Sequence, residues 1–174
     1  ANISFVGNPL IDTVHAEMEA EEARLHFGIA DGDVPVLLMP GSRREEIERL
    51  LPPMLGAAEI LAARDSTRRF FLPVAGGVDV AQIQRQLAAS SVEVTLTHDA
   101  RYALMGIARA AIAASGTVVM EAAIMGLPAV VLYRMSALSY LVGRLLVDVP
   151  RFSLPNILLG ETFETELLQD AVQP

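Results

Sequence analysis

Cysteine is missing from this chain of 174 residues. Its absence excludes disulfide bonds and thiolate metal sites, and it fits a reducing compartment. Histidine is scarce too: His15, His26 and His98 have neither metal-ligand spacing nor a surrounding carboxylate cluster. The Asp-x-Asp sequence at 31–33 precedes the first core strand, so we interpret it as a turn. We therefore predict no metal site.

Basic residues are also few. Lys and Arg number 13 against 21 Asp and Glu, which gives a formal net charge of −8. A general nucleic-acid binder would show a basic stripe, so we expect no nucleic-acid partner. The sequence lacks both glycine-rich patterns G-x-x-x-x-G-K-[ST] and G-x-G-x-x-G. Their absence excludes typical NTPases and disfavours a nicotinamide dehydrogenase.

Long hydrophobic runs are absent as well, although 52% of the residues are hydrophobic and the mean hydropathy is +0.42. A membrane-spanning helix needs roughly 18 consecutive apolar residues. Charged side chains interrupt the apolar C-terminal half before that length, at Arg101, Arg109, Glu121, Arg134 and Arg144. The composition instead predicts one domain with a sizeable core.

The sequence does contain a regular alternation of strand and helix patterns. Short apolar runs predict strands at 1–7, 35–39, 69–75, 92–97, 110–114 and 129–132. Helices are predicted at about 10–27, from residue 42 onward, and at 79–89, 100–108, 117–125 and 138–146. Pro52 and Pro53 should kink or divide the second of these helices. The alternation predicts an α/β domain with a Rossmann-like, doubly wound parallel sheet, whose ligands bind beyond the carboxyl ends of the strands.

The first candidate site follows the strand at 35–39 and consists of Gly41, Ser42 and Arg43. Ser42 and Glu45 have the spacing of a capping box, which predicts that the next helix starts at Ser42. A helix N-terminus carries about half a positive charge, which suits a phosphate and disfavours arginine in the first turn. The motif therefore indicates either an anionic ligand or a capped helix with solvated arginines.

The second candidate site follows the strand at 110–114 and consists of Ser115, Gly116, Thr117 and Glu121. Thr117 can cap the helix that begins there. The neighbours of Glu121 are apolar, so its carboxylate should be buried, and burial is costly unless a partner is present. A ribose diol would supply hydrogen-bond donors, and a salt bridge to an arginine of the sheet is the alternative.

The third candidate is Asn156, the one neutral amide in the apolar stretch 149–158. It could orient a phosphate or a sugar hydroxyl, or belong to ordinary packing. His98 follows a strand, where a contact with a base or a phosphate is conceivable. The helix at 138–146 and the stretch that follows it are candidates for a surface that meets another domain or a membrane, with core packing as the alternative.

Several motifs occur in a specific order along nearly the whole chain. They are Phe5-Val6-Gly7-Asn8-Pro9-Leu10, Leu38-Met39-Pro40-Gly41-Ser42-Arg43, Ala114-Ser115-Gly116-Thr117, Val131-Leu132-Tyr133-Arg134, Ser153-Leu154-Pro155-Asn156-Ile157 and Glu166-Leu167-Leu168-Gln169. Together they resemble the lipid-A-disaccharide synthase family. Each motif alone is weak, whereas the ordered set is specific.

The resemblance implies one lobe of a two-lobed GT-B type glycosyltransferase that requires neither a metal nor a cofactor. Such an enzyme transfers 2,3-diacylglucosamine from its UDP donor to lipid X (2,3-diacylglucosamine 1-phosphate), which gives lipid A disaccharide and UDP. We expect residues 1–30 to form an interlobe strand and linker helix, and residues 31–174 to form the nucleotide-sugar-binding lobe. An N-terminal lobe would hold the general base, so this chain alone should bind without turnover. The family implies a cytoplasmic location, peripheral to the inner membrane of a Gram-negative bacterium.

The same resemblance assigns roles to the candidate residues. Arg43 would offset charge on the leaving UDP, and Asn156 would help to position the donor or the leaving group; these two are the predicted catalytic residues. Gly41, Ser42, Ser115, Gly116, Thr117 and Glu121 would bind the substrate, with Glu121 on the ribose. Two alternatives stay open: a UDP-N-acetylglucosamine 2-epimerase lobe, and a non-catalytic nucleotide-binding module that gates a partner.

Overall fold

A computed structural model describes residues 7–135 and 151–174. The helices are α1 Leu10–Thr13, α2 Ala20–His26, α3 Arg44–Arg64, α4 Val80–Leu87, α5 Arg101–Ile107, α6 Thr117–Ile124 and α7 Leu154–Leu159. The strands are β1 Val34–Met39, β2 Arg68–Pro73, β3 Val94–Thr97, β4 Ala110–Ala114, β5 Ala129–Tyr133 and β6 Thr165–Leu168, followed by a 3-10 turn at Gln169–Ala171.

The six strands form one parallel sheet in the order β3-β2-β1-β4-β5-β6. The order reverses between β1 and β4, where Met39 is the register partner of Ala113. Parallel strands need crossover connections, and the helices supply these connections on both faces of the sheet. The predicted Rossmann-like, doubly wound sheet is confirmed, and ligands of such sheets bind at the point where the strand order reverses.

The core has two layers because successive residues of a strand point to opposite faces. Along β1, Val36 and Leu38 pack with α3 and α4, whereas Leu37 and Met39 pack with α5 and α6. Both faces of the central strands are therefore buried, which explains the continuous apolar runs in the sequence. This packing fixes where the carboxyl ends of β1 and β4 lie relative to each other.

The single helix predicted at 10–27 is wrong. The structure has two short helices, α1 and α2, separated by a non-helical segment at residues 14–19 that includes a bend. Val14 and Ala23 are the buried positions of this region, so the region has no apolar stripe long enough to support one helix. Tertiary contacts of residues 14–19 decide the local structure instead of helix propensity.

Helix α3 continues through Pro52 and Pro53, so of the two predicted outcomes, a kink or a division, the division into two helices is wrong. Proline has no N–H, so the carbonyls of Glu48 and Arg49 lack the usual bond from the next turn. The buried side chains of α3, Leu50, Leu51, Met54, Leu55 and Ala58 among them, pack on the sheet across this point. Their burial holds the helix together where two backbone hydrogen bonds are lost.

The sequence also missed α7 and β6, which the structure places after residue 151. The residues of β6 are at most half-buried, so they show no apolar run. The predicted strand at 1–7 lies almost wholly outside the described residues, and the predicted helix at 138–146 lies wholly outside them. Among the helices that the structure describes, none combines the length and the apolar character needed to cross a bilayer.

Candidate functional site

A cavity of about 490 Å³ opens beyond the carboxyl ends of the strands, at the place where the strand order reverses. Segments that follow β1, β2, β3 and β4 contribute to its wall. Seven of the eight predicted site residues line it: Gly41, Ser42, Arg43, Ser115, Gly116, Thr117 and Glu121. The turns after β1 and β4 thus face one common space, although they are far apart in the sequence.

The turn between β1 and α3 differs from the prediction in its register. Helix α3 begins at Arg44 with Arg43 as the N-cap residue, so the predicted start at Ser42 is wrong. Glu46, rather than Glu45, accepts a hydrogen bond from the Arg43 backbone N–H at 3.4 Å. Gly41 has a φ of +99°, and a side chain there would collide with the carboxylate of Glu46. This left-handed residue lengthens the turn and moves the helix start past Ser42.

The side chain of Arg43 is 83% exposed and pairs with Glu46 at 3.0 Å. An exposed ion pair of this kind contributes about 0–1 kcal/mol, so little free energy holds the guanidinium in place. Arg43 can therefore leave Glu46 and reach an anion in the cavity at small cost.

The turn between β4 and α6 places the N-terminus of an eight-residue helix at the cavity. Gly116 is the N-cap residue and Thr117 is the first residue of the helix, so the predicted cap by Thr117 is wrong. A Cβ added to Gly116 would meet no atom within 4 Å. Ser115 donates a hydrogen bond from its hydroxyl to the carbonyl oxygen of Phe152 at 3.4 Å.

Glu121 is buried at 6% exposure, as the sequence predicted. Its Oε1 pairs with Nη2 of Arg101 at 3.1 Å, which matches the salt-bridge alternative. Its Oε2 is buried and has no hydrogen-bond partner among the described residues. Burial raises the pKa of Glu121, and the guanidinium of Arg101 and the hydroxyl of Tyr102 offset only part of that rise. One oxygen of this cavity-lining carboxylate is therefore ion-paired, and the other is buried without a hydrogen-bond partner among the described residues.

Thr97 and His98 form another part of the wall, after β3. Thr97 is buried, and its hydroxyl has no hydrogen-bond partner among the described residues. An unsatisfied buried polar group costs about 1–3 kcal/mol, so a protein that keeps one beside a cavity indicates a ligand or water there. His98 is exposed at the cavity, where the sequence placed it.

Arg101 was missed by sequence reasoning as a site residue. It lines the cavity, donates a hydrogen bond to the Tyr102 hydroxyl at 2.7 Å and lies 4.7 Å over the Tyr102 ring. Its position in the first turn of the helix predicted at 100–108, shortly after a predicted strand end, was the available signal. The sequence could not show that it pairs with Glu121.

Asn156, the eighth predicted site residue, does not line the cavity. It is 0% exposed, and its Nδ2 donates to the Glu164 carbonyl and to Oε1 of Glu166, each at 2.8 Å. Its Oδ1 accepts from the backbone N–H groups of Phe163 and Glu164, also at 2.8 Å each. The amide has no donor left for a ligand, so the geometry does not support the predicted direct contact of Asn156 with a substrate.

Asn156 belongs to a set of residues that we call the buried polar cluster: Ser153, Asn156, Glu164 and Glu166. The Glu166 carboxylate accepts from the Ser153 hydroxyl at 2.7 Å and from the backbone N–H groups of Phe152 and Ser153. Burial would raise the pKa of Glu166, but the hydrogen bonds from Ser153, Phe152 and Asn156 outweigh it and lower that pKa. The cluster fixes Phe152, which in turn contacts Ser115 at the cavity.

The described residues contain no group of three or more His, Asp or Glu side chains that could hold a metal ion. The cavity wall offers two arginines, several hydroxyls and a helix N-terminus, together with the carboxylates of Glu17, Glu46, Asp99 and Glu121, of which Glu46 and Glu121 are paired with those arginines. This combination suits a ligand with phosphates and hydroxyl groups.

Comparison with known proteins identifies relatives along the whole chain. The family model described as Lipid-A-disaccharide synthetase matches residues 1–174. The lipid-A-disaccharide synthase of Syntrophus aciditrophicus (strain SB) is 42% identical over 174 residues, which is 99% of this chain and 45% of the relative. The chain therefore spans a little less than half of the curated relatives that it matches.

Two solved structures resemble the fold. WaaG, a glycosyltransferase involved in lipopolysaccharide biosynthesis, matches with a TM-score of 0.57 and 16% identity, over 95% of this chain and 41% of that one. The UDP-GlcNAc 2-epimerase from Neisseria meningitidis bound to UDP-GlcNAc matches with a TM-score of 0.52 and 22% identity, over 80% of this chain and 39% of that one. At these identities the likeness is one of fold alone.

Proposed function

The chain belongs to the lipid-A-disaccharide synthetase family, and from this we propose that it is the nucleotide-binding lobe of a glycosyltransferase. The whole enzyme would transfer 2,3-diacylglucosamine from its UDP donor to lipid X, which gives lipid A disaccharide and UDP. The chain spans 45% of its relative, and we propose that the general base and much of the acceptor site belong to a second lobe. No metal or other cofactor enters the proposal.

One observation carries the assignment of the site: the turns after β1 and β4 meet at one cavity beside a half-satisfied buried carboxylate. The diphosphate of the donor would lie against the N-terminus of α6 and the turn at 41–43. Arg43 would exchange Glu46 for the diphosphate and stabilise the negative charge that grows on the leaving UDP. Because its present ion pair is exposed, this exchange costs little.

The nucleoside would occupy the part of the cavity that Glu121 and Thr97 line. Oε2 of Glu121 would accept a hydrogen bond from a ribose hydroxyl, while Oε1 stays paired with Arg101. Thr97 and His98 would lie next to the base or ribose. A volume of about 490 Å³ falls within the usual range of about 300–1,000 Å³ for small-molecule sites.

Asn156 takes a revised role in this proposal. It would position Phe152 and the wall behind Ser115, rather than touch the donor, because all of its amide hydrogens are used inside the buried polar cluster. An effect of Asn156 on turnover would then pass through the position of that wall.

Binding of UDP to this chain, measured by calorimetry, tests the site. We expect weak, measurable binding that falls about 10–100-fold in Arg43→Ala, because a charged contact to phosphate contributes roughly 1.5–3 kcal/mol. Arg44→Ala is the matched control: Arg44 is exposed on the same turn but does not line the cavity. Equal losses in the two variants would contradict the role of Arg43.

The carboxylate is tested by Glu121→Gln with Glu164→Gln as its control. Both glutamates are buried, and each has one oxygen without a partner among the described residues, but only Glu121 lines the cavity. We expect UDP affinity to fall in Glu121→Gln alone. Unchanged affinity in both would contradict the ribose assignment.

The epimerase remains the second candidate because of the fold likeness to the Neisseria enzyme. Product analysis of the full-length protein with labelled UDP-sugar and lipid X separates the two activities. Formation of disaccharide and UDP would support the transferase activity, whereas formation of an epimerised UDP-sugar would support the epimerase activity instead.

We further propose a cytoplasmic location at the inner membrane surface, where the enzyme would meet both lipid substrates.

A further inference from the structure

Helix α5 begins without a cap of its own. Its N-cap residue is Ala100, which has no side-chain acceptor and lies in the left-handed region at φ 45° and ψ 39°. The first N–H groups of a helix need partners from outside the helix. A left-handed alanine is uncommon, so contacts around it must hold the backbone in that conformation.

The missing acceptor comes from a distant part of the chain. Oε2 of Glu17 accepts a hydrogen bond from the backbone N–H of Ala103 at 2.7 Å. Glu17 lies at a bend in the non-helical segment between α1 and α2, which the sequence did not predict. This contact gives a reason for the break between those helices: a continuous helix could not present Glu17 in the same way.

A second contact ties the same region to the loop before α5. Nε2 of His26, the last residue of α2, lies 3.3 Å from Oδ2 of Asp99. Glu17 and His26 therefore hold the loop at 98–101 from two sides of Ala100. The loop is fixed by residues that precede β1 rather than by its own sequence.

The start of α5 lines the cavity. Arg101 is the first residue of α5, and its guanidinium pairs with Glu121 at 3.1 Å. Glu17, Arg101 and Glu121 all line the same cavity. Any change in the start of α5 moves Arg101 relative to Glu121, a cavity-lining carboxylate with one oxygen that has no partner among the described residues.

We propose that Glu17 is a positioning residue for the cavity: it caps α5 from outside the helix and thereby holds Arg101 against Glu121. The identity of the ligand used below rests on the proposed function, but the capping role does not.

The first test uses the chain without ligand. Hydrogen exchange of the Ala103 amide, followed by NMR, should be about tenfold faster in Glu17→Ala, because a lost cap weakens the first turn. Glu17→Gln removes the same charge but keeps a side-chain oxygen that can accept, so its exchange should stay within about threefold of wild type. Glu22→Ala, an exposed glutamate of α2 that does not line this cavity, should match wild type. Equal exchange in Glu17→Ala and Glu22→Ala would overturn the capping role.

The second test measures UDP affinity by calorimetry in the same variants. We expect Glu17→Ala to bind about five- to tenfold more weakly and Glu17→Gln to stay within about twofold of wild type. In an Arg101→Ala background the effect of Glu17→Ala should disappear, because it acts through Arg101. Additive effects, or unchanged affinity in Glu17→Ala, would overturn the positioning role.

The two tests separate this proposal from the one on which it depends. A wild-type chain that does not bind UDP would overturn the assigned ligand, while the exchange measurement still decides whether Glu17 caps α5. If Glu17→Ala speeds exchange of the Ala103 amide but leaves UDP affinity unchanged, Glu17 caps α5 but does not position the cavity.

Discussion

The cavity and the buried polar cluster each contain a carboxylate that is partly or fully shielded from solvent, Glu166 half-buried and Glu121 buried, but the two carboxylates differ in their hydrogen-bond partners. In the cluster, Glu166 accepts hydrogen bonds from Ser153, Phe152 and Asn156, and its pKa is lowered despite burial. At the cavity, Glu121 has one paired oxygen, the other has no partner among the described residues, and burial raises its pKa. A buried polar group that is fully satisfied serves the fold, whereas one left incomplete beside a cavity is available for a ligand.

Glu164 shows that an incomplete carboxylate is not sufficient by itself. One oxygen accepts from the Ala129 N–H at 2.7 Å, and the other is buried without a partner among the described residues. Burial raises its pKa, and the Ala129 hydrogen bond offsets only part of that rise. Glu164 does not line the cavity, so access to the cavity is the second requirement. The predictions below separate the two requirements, in order of their expected effect on the free energy of unfolding.

Asn156→Ala should have the largest effect. It removes four hydrogen bonds and leaves the backbone N–H groups of Phe163 and Glu164, the Glu164 carbonyl and the Glu166 carboxylate short of partners. We expect a loss of about 3–5 kcal/mol in the free energy of unfolding, measured by urea denaturation. UDP affinity of the folded fraction should change little. If Asn156→Ala is stable but no longer binds UDP, Asn156 contacts the ligand directly, contrary to this prediction.

Glu166→Gln should lower the free energy of unfolding by about 1.5–3 kcal/mol, because hydrogen bonds to a charged group are replaced by hydrogen bonds to a neutral one. The pKa of Glu166 is lowered in the folded chain. Its ionised form therefore stabilises the fold above the unfolded-state pKa, and this contribution is lost as the pH falls through the folded-state pKa. Urea denaturation across that acidic range should show a pH dependence that is smaller in Glu166→Gln. An unchanged pH profile would contradict the network described for Glu166.

Glu121→Gln should change the free energy of unfolding by less than about 1 kcal/mol, because the lost ion pair is balanced by relief of the burial penalty. The pKa of Glu121 is raised, so in wild type the penalty is absent at low pH and appears as the pH rises from the unfolded-state pKa through the folded-state pKa. Denaturation on both sides of that window measures the difference. If Glu121→Gln lowers the free energy of unfolding as much as Glu166→Gln does, Glu121 stabilises the fold rather than being available for a ligand.

Thr97→Val should have the smallest effect. The two side chains have nearly the same shape, and the Thr97 hydroxyl has no partner among the described residues. Removing an unsatisfied hydroxyl should leave the free energy of unfolding unchanged or raise it by about 0.5–1 kcal/mol. Thermal denaturation measures this change, and a clear loss of stability would reveal a partner that binds Thr97 in the folded chain.

The same contrast explains what the sequence could predict. Periodicity and apolar runs predicted β1, β2, β4 and β5 because these strands are packed on both faces, and they predicted β3 because Val94 and Leu96 pack on one face. Strand β6 was not predicted because its residues are at most half-buried and therefore form no apolar run. The burial of Glu121 followed from its apolar neighbours, but its pairing with Arg101 depends on how two helices lie in space. Asn156 was placed in the site by family likeness, since nothing in the sequence shows that Glu164 and Glu166 use its amide.

The pairing of β1 with β4 has a consequence for how the chain folds. These strands are neighbours in the sheet, yet β2, β3 and their helices come between them in the sequence. Such a contact closes a long loop, which makes it slow to form relative to local structure. Because both turns at the cavity depend on this contact, a partly folded chain that lacks it has no complete cavity. A ligand there would stabilise only the finished sheet, and it would be expected to slow unfolding more than it speeds folding.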